Sequence, residues 1–320
     1  LPLVSWGSEM CIRDRIMSEA GLGLPNTLLG DGSPYFALLQ KLYEEEYPLA
    51  KLNSDLIFHA EGPAAEQALP QLSVVSWLFS GVDKQIKMLA KSVLDLSLDD
   101  ERGALKALDI RLTGMAPGSI YAGFAINRLR PTPLLGTDEE EAAIASVRDI
   151  VTSLALVPNY VLENSISDDL AAFMPDPAIR DTTLMAAYRL APTGKNGIHT
   201  LEISSPARSS KASSLDINDR VVLRDTVVKR PMLAKKRNGS FVGQLRGIDL
   251  DKTRVDLRNV SDGIGTLRCV LPLSLDKARS ILGQTVRVTG QYEAGPNGKP
   301  RLMQVESIEV VENRKLDFNG

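Results

Sequence analysis

Histidine is a frequent general base and metal ligand, and this sequence has only two of them, His59 and His199. Each lies where apolar and polar residues alternate, which is typical of a structural position on a strand. The tripeptide His59-Ala60-Glu61 matches the His-x-Glu part of the zinc deaminases, but their Pro-Cys-x-x-Cys part is absent. We therefore predict no catalytic residue and no metal site, and a non-enzyme is favoured over an enzyme.

Other patterns that could carry chemistry are incomplete. Gly118-Ser119 lacks the Gly-x-Ser-x-Gly arrangement of a nucleophile elbow, so a turn is the simpler interpretation. The glycines between Gly21 and Gly30 lack the Gly-Lys-Ser/Thr ending of a phosphate-binding loop. Cys269 is expected to face the inside of a strand-rich region, where a thiol behaves as a small apolar group. The sequence predicts no cofactor.

Length and composition favour a water-soluble protein of two domains. The chain has 320 residues, of which 43% are apolar, as in ordinary globular proteins. No apolar window reaches the roughly 18 residues of a membrane-spanning helix, so no membrane partner is expected. Residues 206–320 hold 21 Lys and Arg against 13 Asp and Glu, whereas residues 1–205 hold 16 against 27. The basic C-terminal part can attract polyanions or an acidic protein surface.

The beginning of the chain fits none of the elements that follow it. Residues 1–16 lack the order of a signal peptide, and Met10–Arg15 resemble translated adapter sequence. We expect residues 1–16 to be a non-native leader and Met17 to be the natural start. Without Cys11, Cys269 is the only cysteine, which predicts no disulfide and a reducing, cytoplasmic location.

Residues 17–204 show the mixed periodicities of an α+β domain, and they resemble no family. One long helix is predicted from apolar residues three or four positions apart, namely Val75, Phe79, Val82, Ile86, Leu89 and Val93. Other helices are predicted from Tyr35 toward Glu46, from Thr137, and from Asp176 until Pro192. Strands are predicted at 56–60, at 198–203, and at 108–112 with 120–126 as a hairpin.

A serine-rich segment follows this domain. Ser204–Ser214 holds no apolar residue larger than alanine, which is typical of a linker. We place the linker at 205–238. It includes Ile217–Val228, whose pattern predicts one or two strands, and a basic segment at 235–237. The last domain then covers residues 239–320.

The last domain has the pattern of a small antiparallel β-barrel. Five strands are predicted, at 241–248, 254–257, 266–270, 285–292 and 301–311, with a short helix at 275–282. Asn297-Gly298 indicates a tight turn between the last two strands. This order of elements over residues 239–312 resembles the OB-fold, with an SH3-like barrel as the alternative. The predicted fold class is an α+β domain followed by a five-stranded all-β barrel.

OB-fold proteins often bind oligonucleotides or oligosaccharides on the face of strands two and three, so the resemblance implies a ligand site there. Alternation along the second strand directs Val255 and Leu257 inward and Arg254 outward. Six residues would contact the phosphates: Lys235, Lys236, Arg237, Arg254, Arg258 and Arg268. No aromatic residue accompanies them on this face, whereas single-strand binders usually stack bases on aromatic rings.

Three functions are compatible with these features. The first is a non-enzymatic binding or adaptor protein, in which the α+β domain and the barrel contact a protein partner. The alternative is a protein that binds single-stranded nucleic acid through phosphate contacts on the basic barrel. A hydrolase or transferase activity in the first domain, using His59 or His199, is the third.

Overall fold

The computed structural model describes residues 54–65, 70–94, 108–116, 120–128, 137–195, 197–208, 213–228, 230–249, 254–271 and 279–311. These residues all belong to one compact unit, Asn53–Gly320. The predicted leader, Met17 and the helix predicted from Tyr35 lie outside the described residues, as does the turn of the predicted hairpin at 117–119.

Five strands form an antiparallel sheet in the first part of this unit. They are β1 (Leu56–Glu61), β2 (Leu108–Ala116), β3 (Ile120–Arg128), β4 (Thr200–Ser204) and β5 (Ser213–Leu215), in the order β2-β3-β1-β4-β5. The predicted strand at 56–60 and the two predicted hairpin strands are confirmed. The strand predicted at 198–203 is present with slightly shifted bounds.

Helices complete the α+β part. They are α1 (Leu72–Leu94), α2 (Thr137–Ser153), α3 (Asp169–Phe173), α4 (Pro177–Leu190) and α5 (Ile217–Leu223). A 3-10 helix, Leu154–Tyr160, follows α2, and a π-helical turn, Arg224–Val228, follows α5. Because Val82, Ile86 and Leu89 recur on one face of α1, they are buried in the same core as Phe58 of β1.

Helix α4 begins where the sequence predicts it. One carboxylate oxygen of Asp176 accepts hydrogen bonds from the backbone N–H groups of Ala178, at 2.9 Å, and Ile179, at 3.2 Å. Pro177 occupies the first helical position, where its missing N–H costs nothing. The cap lies about one turn before Arg180 and Asp181, the α4 residues that contact the barrel.

The segment 217–228 is helical, where the sequence pattern predicts one or two strands. Asp216 accepts a hydrogen bond from the N–H of Asp219 at 2.8 Å, and Asp219 accepts one from the N–H of Asp216 at 2.9 Å. This reciprocal capping box starts α5 and overrides the strand preference of the valines that follow. The preceding residues 213–215, within the predicted linker, pair with β4 as strand β5.

The second part is a closed five-stranded barrel. Its strands are β6 (Arg237–Asp249), β7 (Arg254–Val260), β8 (Gly265–Val270), β9 (Thr285–Ala294) and β10 (Pro300–Val310), in the cyclic order β6-β7-β8-β10-β9. The predicted strands and the α+β-plus-barrel fold class are confirmed. The barrel is mixed and not antiparallel throughout, because β10 crosses over to lie parallel to β8.

Apolar side chains alternate into the barrel, as the sequence predicts. Val255, Leu257, Leu267 and Cys269 are all buried in its core. The predicted turn between β9 and β10 is present, with Gly298 at a φ of 76°. Of the helix predicted at 275–282, residues 275–278 lie outside the described part of the chain. None of the described helices combines the length and the apolar character that crossing a membrane requires.

Candidate functional site

Helix α4 docks on the barrel through a buried ion pair. The guanidinium of Arg254 donates from Nη2 to Asp181 Oδ1 at 2.6 Å and from Nε to Asp181 Oδ2 at 2.7 Å. Arg254 also donates to the backbone carbonyl of Val227 at 2.6 Å. The side chain of Asp181 is 0% exposed and that of Arg254 only 6%. A buried pair of this kind needs such complete hydrogen bonding to offset the loss of water.

The neighbouring residue on α4, Arg180, makes a second buried ion pair, in which the helix supplies the cation and the barrel the carboxylate. Arg180 donates to Glu293 Oε2 of β9 at 2.6 Å, and both side chains are buried. Arg180 also donates to the backbone carbonyls of Met174 and Met232, at 2.9 and 3.1 Å. Glu293 accepts a further hydrogen bond from the N–H of Ala234 at 2.7 Å. The two pairs hold β7 and β9 against one helix.

Two hydroxyl groups and a guanidinium link α1, α4 and β8 beside these ion pairs. Thr182 donates its single hydroxyl hydrogen to the carbonyl of Ala178 at 2.8 Å. The 2.7 Å contact between the hydroxyls of Ser92 and Thr182 is therefore donated by Ser92. Arg268 donates to the same threonine oxygen and to the Ala178 carbonyl. These hydrogen bonds fix the position of the Arg268 side chain where β8 meets α1 and α4.

A cleft opens next to Arg268, where the outer face of β7, β8 and β10 meets α1 and α4. It encloses about 380 Å³ of empty space, including the part that is open to solvent. Its lining consists of Lys91, Ser92, Ala178, Asp256, Arg258, Thr266, Arg268 and Arg301. We call these eight residues the junction cleft. Because side chains alternate along a strand, the burial of Val255 and Leu257 leaves Asp256 and Arg258 on the outer face.

Cationic side chains make up half of the lining of the junction cleft. Lys91, Arg258, Arg268 and Arg301 are cationic, and Asp256 is the acidic residue in the lining. Asp256 Oδ1 lies 3.8 Å from Arg268 Nε. Nε of Arg301 donates to Oδ2 of Asp176, outside the lining, at 3.1 Å. Oδ2 of the buried Asp181 lies 4.0 Å from Nη1 of Arg268. Four cationic side chains in a lining of eight residues favour an anionic ligand.

The structure places the six predicted phosphate-contacting residues in three environments. Arg258 and Arg268 lie together in the junction cleft. The side chain of Arg254 points outward from the same face of the barrel, as predicted. It is covered by α4, however, and forms an ion pair with Asp181. Lys235, Lys236 and Arg237 are exposed where β6 begins, and they do not belong to the cleft lining. Nucleic-acid contact by these residues stays a prediction.

Lys91, Ser92 and Arg301 are cleft residues that the sequence patterns do not identify as a site. Helical spacing puts Lys91 on the outer face of α1, and strand alternation puts Arg301 on the outside of the barrel. Neither pattern says that those two surfaces meet. A positively charged side chain in an otherwise regular element is too common to mark a site on its own.

The two histidines have different surroundings. His59 is 6% exposed, and its ring stacks on Tyr121 with the ring centroids 3.6 Å apart. Its Nδ1 lies 3.1 Å from Glu202 Oε2 on the neighbouring strand, and its Nε2 lies 3.5 Å from Glu61 Oε1. His199 is exposed, and its backbone N–H donates to the carbonyl of Glu61 at 2.8 Å. Within the described part of the chain, no group of three or more His, Cys, Asp and Glu side chains could hold a metal ion.

Comparison with known proteins adds no family to this description. No model of a protein family matches the chain, and no curated protein is significantly similar to it in sequence. The junction cleft is therefore interpreted from its own chemistry.

Proposed function

We propose that this protein binds single-stranded nucleic acid without catalysing a reaction on it. The observation that carries the proposal is the convergence of Lys91, Arg258, Arg268 and Arg301 on one cleft of the barrel's outer face. Guanidinium and ammonium groups are the usual protein partners of phosphate oxygens. The hydroxyls of Ser92 and Thr266 supply further polar groups beside them.

The barrel supports the proposal by its topology. Its fifth strand, β10, lies between the third and fourth and runs parallel to the third. We propose that this Greek-key arrangement is of the OB type, in which strands two and three form the ligand face. These strands are β7 and β8, and they supply Asp256, Arg258, Thr266 and Arg268 to the cleft. Since no cleft residue is aromatic, recognition is proposed to depend on phosphates and not on base stacking.

A titration by fluorescence anisotropy tests this function. The whole protein is mixed with a labelled single-stranded oligonucleotide at about 50 mM and about 200 mM salt, because displaced counterions make phosphate binding salt-dependent. We expect binding that weakens as salt rises, and an Arg258→Ala variant that binds less tightly and with a smaller salt slope. Arg287→Ala is the matched control, because Arg287 is an exposed arginine of β9 outside the cleft. Absence of binding at the lower salt concentration would refute the proposal.

An adaptor role is the second candidate function, and one edge of the sheet favours it. Strand β2 is the outermost strand in the sheet order of the described residues. Its side chains Leu112 and Met115 are 49% and 44% exposed. An edge strand with exposed apolar side chains can pair with an extended segment of a partner protein. A partner retained by the wild type and by Arg258→Ala, but lost from Leu112→Lys, would support this role.

We also propose a cytoplasmic location. Cys269 is a free, buried thiol, and a chain with so few cysteines suits a reducing compartment. Fractionation of the native cells tests this, and recovery of the protein from an oxidising compartment would contradict it.

A further inference from the structure

We infer that two copies of this chain associate through strand β2, whose outer edges pair antiparallel across a two-fold axis at Ile110. The partner of this edge is then a second copy of the chain, and not the other protein that an adaptor role requires. The inference does not depend on nucleic-acid binding, because no residue of β2 belongs to the junction cleft.

The backbone of β2 directs hydrogen-bonding groups away from β3 at Ile110. Ile126 of β3 lies opposite Ile110. The N–H of Ile126 donates to Oδ2 of Asp55 and its carbonyl accepts from Nη2 of Arg148, both at 2.7 Å. Ile110 and Ile126 are therefore not a hydrogen-bonded pair, and the backbone groups of Ile110 point to the outer edge. Because this direction alternates along a strand, the residues two positions before and after Ile110 share it.

A β-bulge sets the length of edge that is available for regular pairing. The pairing of β2 with β3 is regular from Leu108 to Leu112 and shifts register between Leu112 and Gly114. A bulge bends its strand and increases the local twist, so regular pairing with another strand ends there. The regular stretch is centred on Ile110, and a two-fold axis at that residue uses all of it.

The two charges of this stretch are complementary to those of a second copy. Asp109 and Arg111 flank Ile110, so a two-fold axis there places each Asp109 opposite Arg111 of the second copy. These are non-hydrogen-bonded pairs, in which the Cα atoms lie only about 4.5 Å apart and the side chains approach closely. The side chain of Arg111 is 62% exposed and already forms an ion pair with Asp109 of its own chain. Association extends that pair into a ring of alternating charges.

The apolar side of the same stretch is complementary as well. Leu108, Ile110 and Leu112 share the sheet face on which Phe124 and Ile126 are buried. Leu108 and Ile110 pack partly against the core, whereas Leu112 is 49% exposed. With the axis at Ile110, each Leu112 lies opposite Leu108 of the second copy, which covers its exposed surface.

The charges also select this axis over its neighbour. An axis at Leu112 would place Arg111 opposite Thr113, without a counter-charge in the second copy, and it would cross the bulge. Proline, a common protection of edge strands against pairing, does not occur in β2.

Sedimentation velocity of the whole chain tests the association, and charge reversal tests its register. We expect a monomer–dimer equilibrium between about 1 and about 200 µM, because one strand from each copy makes a small interface. Asp109→Arg and Arg111→Asp each put like charges opposite each other at two places and should weaken the dimer at least about tenfold. An equimolar mixture of these two variants should recover dimers, because each arginine then faces an aspartate. Arg287→Asp, the reversal of an exposed charge on β9, is the matched control and should leave the dimer unchanged.

A cysteine at Ile110 locates the axis. In a Cys11→Ser background, Ile110→Cys should give a disulfide-linked dimer on mild oxidation, because opposed residues of a hydrogen-bonded pair have Cα atoms about 5.5 Å apart, within disulfide range. Leu112→Cys is the matched control. Its two copies would be four positions apart, which is roughly 13 Å along the strands, and should not be linked.

The outcomes separate this inference from the functions proposed above. Monomers at every concentration would overturn it and leave nucleic-acid binding and contact with another protein in place. A dimer that persists in both charge-reversal variants, or a mixture of them that fails to associate, would show that another surface or register is used and refute the inference. A disulfide formed by Leu112→Cys and not by Ile110→Cys would refute the axis.

Discussion

Asp181 of α4 accepts two hydrogen bonds from the guanidinium of Arg254 on β7, at 2.6 and 2.7 Å, with both side chains buried. The preceding residue, Arg180, reaches Glu293 on β9. Arg180 and Asp181 are adjacent on α4 and differ in the sign of their charge. Each is paired with a barrel residue of the complementary sign. Any rotation of α4 that exchanged the two partners would put like charges together, so the pairs specify how the helix docks.

Removal of one partner of the Asp181–Arg254 pair is expected to be strongly destabilising. Asp181→Ala leaves the Arg254 guanidinium buried without its counter-charge, and we expect a loss of about 3 to 5 kcal/mol in the free energy of unfolding. Urea denaturation of wild type and variant measures the difference.

The double variant Asp181→Leu with Arg254→Met is the control for that prediction. It removes both charges and fills the space with apolar side chains, so its loss should be much smaller than that of Asp181→Ala. A single variant within about 1 kcal/mol of wild type would instead show that the pair remains solvated.

Two glycine-to-alanine substitutions are expected to have opposite effects. At Gly290, an added Cβ would lie 2.2 Å from the carbonyl oxygen of Gln304 on β10, and we expect a loss of about 3 kcal/mol from overpacking. At Gly81, within α1, the nearest atom to an added Cβ is Leu190 Cδ2 at 3.5 Å, an ordinary contact. Gly81→Ala should therefore raise stability by about 0.5 to 1 kcal/mol, through the higher helix propensity of alanine. Thermal or urea unfolding of both variants measures the two signs.

Cys269 is expected to be unreactive in the folded protein. The thiol is fully buried in the barrel core, and this burial, with a smaller contribution from the charge of Asp256, raises its pKa. In a Cys11→Ser background, Ellman's reagent should modify Cys269 slowly under native conditions and rapidly in denaturant, because the thiolate is the reacting form. Fast labelling of the native protein would mean that the barrel opens readily around β8.

The cap of α5 is expected to make stability depend on pH. Burial raises the pKa of Asp219 above its ordinary value of 3.8, and the nearby charge of Asp216 adds to this, while the hydrogen bond from the Asp216 backbone opposes it. The folded chain then holds this proton more tightly than the unfolded chain. The contribution of Asp219 to stability therefore falls as pH rises from 3.8 through the raised pKa.

Asp219→Asn removes this titration, and its amide oxygen can still accept from the Asp216 N–H. Stability of the variant relative to wild type should increase as pH rises through that window, measured by urea denaturation at several pH values. A relative stability independent of pH would contradict the raised pKa.

Local periodicity accounts for the features that the sequence predicts correctly. The spacing of Val82, Ile86 and Leu89 specifies one face of α1, and the alternation of Val255 and Leu257 specifies which side of β7 enters the barrel. Both patterns depend on residues close together in the chain, where helix and strand geometry alone decides which side chains share a face.

Capping chemistry explains the main secondary-structure error. The valines after Ile217 favour a strand by propensity, but the reciprocal hydrogen bonds of Asp216 and Asp219 start a helix. Sequence reasoning could have found this cap, since the two aspartates stand three positions apart, directly before Arg220 and the apolar residues Val221–Leu223.

Local sequence patterns suffice to predict the α+β part, the five barrel strands and the outward direction of Arg254, Arg258 and Arg268. Three features depend on long-range packing instead: the parallel pairing of β10 with β8, the burial of Arg254 against Asp181, and the cleft that Lys91 and Arg301 complete. The direction in which a side chain leaves its helix or strand is set by the local backbone. Which other element that side chain contacts depends on how whole surfaces pack. Residues far apart in the chain therefore become neighbours for reasons that no local pattern contains.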